Sequence, residues 1–203
     1  MQRLTSNPVQ QLRRLLHDQY SFGSIIKELI QNADDARARE FHLGWVTQWP
    51  SNTHPLLAGP TLLCLNDGEF RKADAKAICR LDEGAKGADT GTIGKYGLGM
   101  KSVFHLCEGF FYAASADQPA ADGKPFVELL NPWPEGGPHD TWDDTARARR
   151  AIIECVSTWR HETQRWFCLV IPLRTPKQLD GAEAILPGHF PRIEELLDAY
   201  KAH

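Results

Sequence analysis

The chain predicts a two-layer α/β sandwich in which a mixed, mainly antiparallel sheet carries helices on one face. Three observations point to it. Helix-like and strand-like segments run in the order helix, helix, strand, strand, helix, glycine-rich loop, helix and then strands. The strand-like runs are short and apolar, while the helix-like runs set an apolar stripe beside a polar one. At 203 residues, with 42% hydrophobic and 24% charged side chains, the chain is long enough for one core of its own. Residues 1–180 read as that domain, and 181–203 as a C-terminal extension ending in a helix.

The first helix is expected over 6–18, capped by Ser6 or Asn7, with Pro8 in its first turn and Val9, Leu12, Leu15 and Leu16 as its buried stripe. A Ser21-Phe22-Gly23-Ser24 turn leads into the second helix, which Ser24 is placed to cap. There Ile25, Leu29, Ala33 and Ala36 form an apolar stripe, and Glu28, Asn32 and Asp35 fall in a narrow arc beside it. Strands are predicted at 40–47, 61–65, 109–114 and 165–173, with a weaker one at 126–130. Further helices are predicted at 71–80, 100–106 and 144–163. The stretch 131–144 is too rich in proline and glycine for a regular element. Its Trp133 and Trp142 either anchor a partner or staple the loop to its own domain.

Residues 91–104 carry glycines at 94, 97 and 99 ahead of a helix-like run. Glycine lets backbone approach a large anion, and a helix start turns N–H groups toward it, so the segment reads as a phosphate cradle. Lys95 and Lys101 flank it as point charges for phosphate, and Ser102 is a weaker contact. Residues 82–93 are small, flexible in composition and lie just before the cradle, as a lid over a bound triphosphate would. Glu28, one helical turn from Asn32, is placed to act as general base on a water. Asn32 offers a hard amide oxygen to Mg²⁺. Asp67 follows the 61–65 strand, with Gly68 permitting a tight turn, and its carboxylate suits an adenine amino group.

Taken together, Glu28-x-x-x-Asn32-x-x-Asp35, then Asn66-Asp67-Gly68, then Ile93-Gly94-Lys95-Tyr96-Gly97-Leu98-Gly99-Met100-Lys101-Ser102 resemble the GHKL (Bergerat-fold, Hsp90-like) ATPases, the superfamily of gyrase, histidine kinases and MutL. The strings Lys-Glu-Leu-Ile-Gln-Asn-Ala-Asp-Asp-Ala and Gly-x-Gly-Met-Lys-Ser-Val-Phe-His are most similar to the Hsp90-like domains of the sacsin family, and Ile-Gly-Lys-Tyr-Gly also resembles MORC ATPases. The similarity covers about residues 10–175. It implies ATP and Mg²⁺ as ligands, Glu28 as catalyst, and Asp35 beside the sugar and adenine. It further implies nucleotide contacts from Gly94, Lys95, Tyr96, Gly97, Leu98, Gly99, Met100, Lys101 and Ser102. The usual Asp-x-Gly-x-Gly is shortened here, with Glu69 and Phe70 after Gly68, and a shift of the alignment by one makes Asn66 rather than Asp67 the adenine contact. Many relatives complete the site with a Lys or Arg from a following domain, so turnover is expected to be slow or partner-dependent. A protein partner or further domains, and an ATP-dependent homodimer, are also implied. The alternative is a non-catalytic nucleotide-binding module that gates partner binding.

Bulk properties narrow the classes. A formal charge of −3 gives no general pull toward nucleic acid or anionic membrane. The five scattered cysteines lack Cys-x-x-Cys spacing, which argues against a zinc site or disulfide framework. No apolar run has membrane-spanning length, and a cytoplasmic location is expected.

Overall fold

The computed structural model describes residues 7–18, 24–80, 99–135, 139–159, 165–175 and 184–187, together with 194, 195, 198 and 201. Helix α1 (Pro8–Asp18) is capped by Asn7, whose side-chain oxygen accepts from the N–H groups of Val9 (3.0 Å) and Gln10 (3.3 Å). Its Val9, Leu12, Leu15 and Leu16 are buried, as their spacing predicts. Helix α2 (Ile25–Asp35) starts at Ser24, which makes no side-chain cap bond. Its C-terminus closes with Ala38 N–H on the Ala33 carbonyl (2.9 Å) and Arg37 N–H on that of Asp34 (2.8 Å). Arg37 stands at φ 60°, in the left-handed position where glycine is usual.

Five strands follow: β1 (Phe41–Val46), β2 (Thr61–Asn66), β3 (Phe110–Ala114), β4 (Phe126–Leu130) and β5 (Phe167–Pro172). They form one sheet in the order β1-β2-β5-β3-β4, antiparallel at each described pairing. Helix α3 (Lys72–Ile78) follows β2, a 3₁₀ helix (Gly99–His105) precedes β3, and α4 (Ala146–Trp159) precedes β5. The 99–105 segment was expected as an ordinary helix. Met100 through Phe104 are all buried, so packing rather than an apolar stripe governs this segment, and it winds more tightly.

Directly paired residues share a face of the sheet. Phe41, Cys64, Asn66, Phe167 and Leu169 therefore lie on one side, and this is the side against which α2 and the 3₁₀ segment pack. Phe70 extends that layer, stacking on Phe167 with ring centroids 4.4 Å apart. The two-layer α/β arrangement is thus present, and α4 adds cover to the reverse face. There Trp159 lies over Gly44, where an added methyl would strike its indole ring. Trp49 donates to the Thr61 hydroxyl (2.9 Å), and His54 meets the Phe111 ring edge-on at 5.1 Å. Trp133 and Trp142 are both buried, with His139 at 4.5 Å from the first and stacked 4.0 Å from the second. Of the two readings of these tryptophans, the structure selects the loop staple.

Below the sheet end, Arg174 is buried beside Glu108. Its guanidinium also donates to the carbonyls of Phe104, His105 and Cys107, each at 2.9 Å, and so closes the end of the 3₁₀ segment. The second Glu108 oxygen accepts the Ile185 N–H (2.8 Å), and Arg13 of α1 donates to the carbonyls of Ile185 (2.9 Å) and Ala184 (2.7 Å). Burial raises the Glu108 carboxyl above its usual range, against the pull of Arg174. A buried ion pair repays its desolvation only when its remaining lone pairs and protons are used, and here they are. Ile185 is fully buried, so residues 184–187 join the core of the domain. Among the described residues no helix is long and apolar enough to cross a membrane.

His54 links the reverse-face layer to pH. Its Nδ1 accepts the Leu56 N–H (3.1 Å) and its Nε2–H donates to the Trp142 carbonyl (2.8 Å), a pattern that requires the neutral ring. Burial lowers its pKa below the ordinary histidine value of 6.5. The unfolded chain therefore takes up the proton first, so this contribution is full above about pH 6.5 and is lost as pH falls through the folded pKa. Thermal melts at pH 7.5 and 5.5 should show a larger drop for the wild type than for His54→Asn, and equal drops would remove His54 as the cause.

Candidate functional site

A pocket opens between α2 and the sheet. Leu29, Asn32 and Ala33 of α2 form one wall, Phe41, Cys64, Asn66, Phe167 and Leu169 of the strands form the other, and Met100 closes one side. The α2 residues reach it because positions 29, 32 and 33 fall on one helical arc. The strand residues reach it because they share one parity of the alternation. The walls are mostly apolar and the polar groups are two carboxamides, Asn32 and Asn66.

Asn32 is 5% exposed, and its Nδ2 finds no hydrogen-bond partner among the described residues. Leaving a buried amide donor unmatched costs about 1–3 kcal/mol, so an acceptor from a ligand fits here. Glu28, half-buried one turn earlier, lies against Gly99: a methyl group on Gly99 would collide with the Glu28 carboxylate. The row on α2 and the end of the glycine run are thus brought into contact. Asp35 is half-buried one turn beyond Asn32, and Asp34 is exposed.

The strand-end motif resolves differently from the first expectation. Asp67 is turned away from the pocket, its Oδ1 accepting the N–H groups of Arg39 (2.7 Å) and Glu40 (3.1 Å) at the entry to β1. Asn66 takes the pocket position, with its Oδ1 accepting the Gly68 N–H at 2.9 Å. Gly68 is required by close approach: a Cβ there would lie 2.7 Å from that of Ala36 and 2.9 Å from Asn66 Oδ1. Gln118 clamps this turn from both sides, donating to the Gly68 carbonyl and accepting the Phe70 N–H, each at 2.8 Å.

Lys101 also departs from its expected place at a phosphate. It is 1% exposed, and its ammonium donates to the Ile78 carbonyl at the end of α3. Burial pushes its pKa down to about 8, with Cys79 pulling the other way. Ser102 is fully buried, and its Oγ has no partner among the described residues. Met100 lines the pocket directly. Gly94, Lys95, Tyr96, Gly97 and Leu98, with the expected lid at 82–93, lie outside the described residues. Sequence reasoning did not anticipate Leu29, Ala33, Phe41, Cys64, Phe167 and Leu169 as pocket walls. The alternation of β2 groups Leu62, Cys64 and Asn66 on one face, but a strand apolar on both faces does not show which parity meets α2.

A family model described as the Sacsin domain matches residues 5–112, a range that holds α1, α2, β1, β2 and the 3₁₀ segment. The chain is 34% identical to human (Homo sapiens) sacsin over 107 residues, 48% of this chain and 2% of that protein. It is also 34% identical over 98 residues to Protein NO VEIN of Arabidopsis thaliana, 48% of this chain and 3% of that protein. The chain therefore corresponds to a small part of each relative's length.

The contact between Glu28 and Gly99 is open to a direct test. Gly99→Ala should cost less than the ~1–3 kcal/mol of overpacking in a packed core, because the atom struck is the far end of the flexible, half-buried Glu28 side chain, which can swing away. Glu28→Ala in the same chain should recover part of that loss, because it removes the side chain being struck. Urea unfolding of the two single variants and the double variant measures this coupling, and strictly additive effects would show that the two positions do not touch.

Proposed function

Because this chain belongs to the sacsin-domain family, we propose that it is a nucleotide-driven switch module that binds ATP with Mg²⁺ and hydrolyses it slowly, within a larger chaperone-like or defence-related assembly. The observation that carries this reading is the contact between Glu28 and Gly99, which joins the carboxylate on α2 to the end of the glycine run. A pocket with apolar walls and two carboxamides beside that contact supports it further.

Each residue has a separable task. Glu28, held beside glycine backbone, takes a proton from an attacking water. Asn32 is assigned to the metal-holding position because its amide oxygen is a hard, neutral ligand suited to a cation already balanced by phosphates, while its buried, unmatched Nδ2 is a donor that suits an acceptor of the ligand. When bound, Mg²⁺ supplies charge neutralisation at phosphate oxygens. Phe41, Met100 and Phe167 exclude water from the base end of the pocket. Asp35, further along α2, is assigned to the sugar side. A homodimer formed on ATP binding belongs to the same reading, as does a partner that supplies a completing Lys or Arg.

Two substitutions separate binding from chemistry. Glu28→Ala should keep Mg·ATP affinity while ADP release falls about 10²- to 10⁴-fold. Turnover at the wild-type rate would remove Glu28 from catalysis. Should the wild type bind ATP and release no ADP at all, the module uses the nucleotide as a structural ligand only. Asn32→Ala should weaken the magnesium-dependent part of ATP binding, read by calorimetric titration with and without Mg²⁺, and an unchanged magnesium response would exclude it as a metal ligand.

A further inference from the structure

We propose that Asn66 reads the nucleobase and that the pocket accepts 6-oxopurine nucleotides, GTP and ITP, alongside ATP. This rests on the reading of the pocket as a nucleotide site. Within it, the strand end presents a carboxamide, which both donates and accepts, in place of the acceptor-only carboxylate expected there.

The geometry fixes what that carboxamide offers. Asn66 Oδ1 accepts the Gly68 N–H at 2.9 Å, and rotating the amide would set its NH₂ against that N–H donor. Oδ1 is therefore held toward Gly68, and Nδ2 is the group left for a ligand. Nδ2 makes no hydrogen bond among the described residues and keeps access to solvent, while the Asn32 Nδ2 in the same pocket is buried and unmatched. Asp67, the carboxylate next in the chain, is occupied by the N–H groups of Arg39 and Glu40. No carboxylate lines the pocket among the described residues.

Donors and acceptors then decide the preference. A carboxylate only accepts, so it matches a 6-amino group and repels a 6-oxo group. The Asn66 NH₂ donates, which matches a 6-oxo oxygen or a ring nitrogen. The second lone pair of Oδ1 remains for a 6-amino group or an N1–H. At Asn66 neither a 6-amino nor a 6-oxo edge is left unpaired, and an unpaired buried group is what drives strong rejection of a wrong ligand. The apolar walls from Phe41, Phe167, Leu169 and Met100 carry no group that discriminates the edge of a ring.

The test is a calorimetric titration of the full chain with ATP, GTP and ITP in Mg²⁺. Dissociation constants within about tenfold of one another are expected. Asn66→Asp should shift the ATP-to-GTP preference by about 10²-fold toward ATP, and Asp67→Asn should leave it unchanged. Wild-type binding of ATP with rejection of GTP and ITP by about 10²-fold or more overturns the inference and leaves the nucleotide reading standing. A preference that moves with Asp67→Asn overturns it as well. Binding of none of the three nucleotides overturns the nucleotide reading itself. The three wild-type titrations decide the matter even if Asn66→Asp does not fold.

Discussion

Burial of both faces of the central strands is the constraint on which the rest of the molecule depends. Every residue of β2, β3 and β5 is buried. Side chains alternate with a period of two, so slipping β2 by one residue would exchange Leu62, Cys64 and Asn66 for Leu63, Leu65 and Asp67 on the face toward α2. That slip would bring a carboxylate against apolar walls and deprive the Arg39 and Glu40 amides of their acceptor. The Asn66 turn, the Gln118 clamp and the seat of Gly68 against Ala36 all presuppose the observed register.

Legibility in the sequence followed the range of the physics. The row Glu28, Asn32, Asp35 was readable because a 3.6-residue period is local, and the structure keeps it on α2 with Asn32 in the pocket. The strand positions were readable from short apolar runs, and β1 to β5 fall where those runs lie. Which parity of β2 faces α2 was not readable, since a strand apolar on both faces carries no contrast between them. Asp67 was accordingly preferred to Asn66 from the sequence, and the preference reverses because Arg39 and Glu40 claim the carboxylate. A lysine beside a glycine run suggested phosphate at Lys101 as readily as at Lys95. Only tertiary packing reveals Ile78 as the partner of Lys101.

The Arg174–Glu108 pair shows how polar groups organise an apolar core. Hydrophobic contacts tolerate sliding, whereas a guanidinium that must meet Phe104, His105, Cys107 and Glu108 together has one position. The 3₁₀ segment that supplies Gly99 and Met100 to the site is therefore closed at its far end by directional bonds. Through Ile185 and Arg13 the same network reaches α1, so a boundary drawn at residue 180 from composition cuts across a packed unit.

Lys101 has a consequence for chemical reactivity. Amines are acylated in the unprotonated form, which burial of Lys101 favours by pushing its pKa down to about 8. Yet at 1% exposure it is sealed beneath the Ile78 carbonyl. Its rate of modification by an acylating reagent is therefore set by how often the junction between α3 and the 3₁₀ segment parts. The chain carries at this position its own clock for local opening next to Gly99 and Met100.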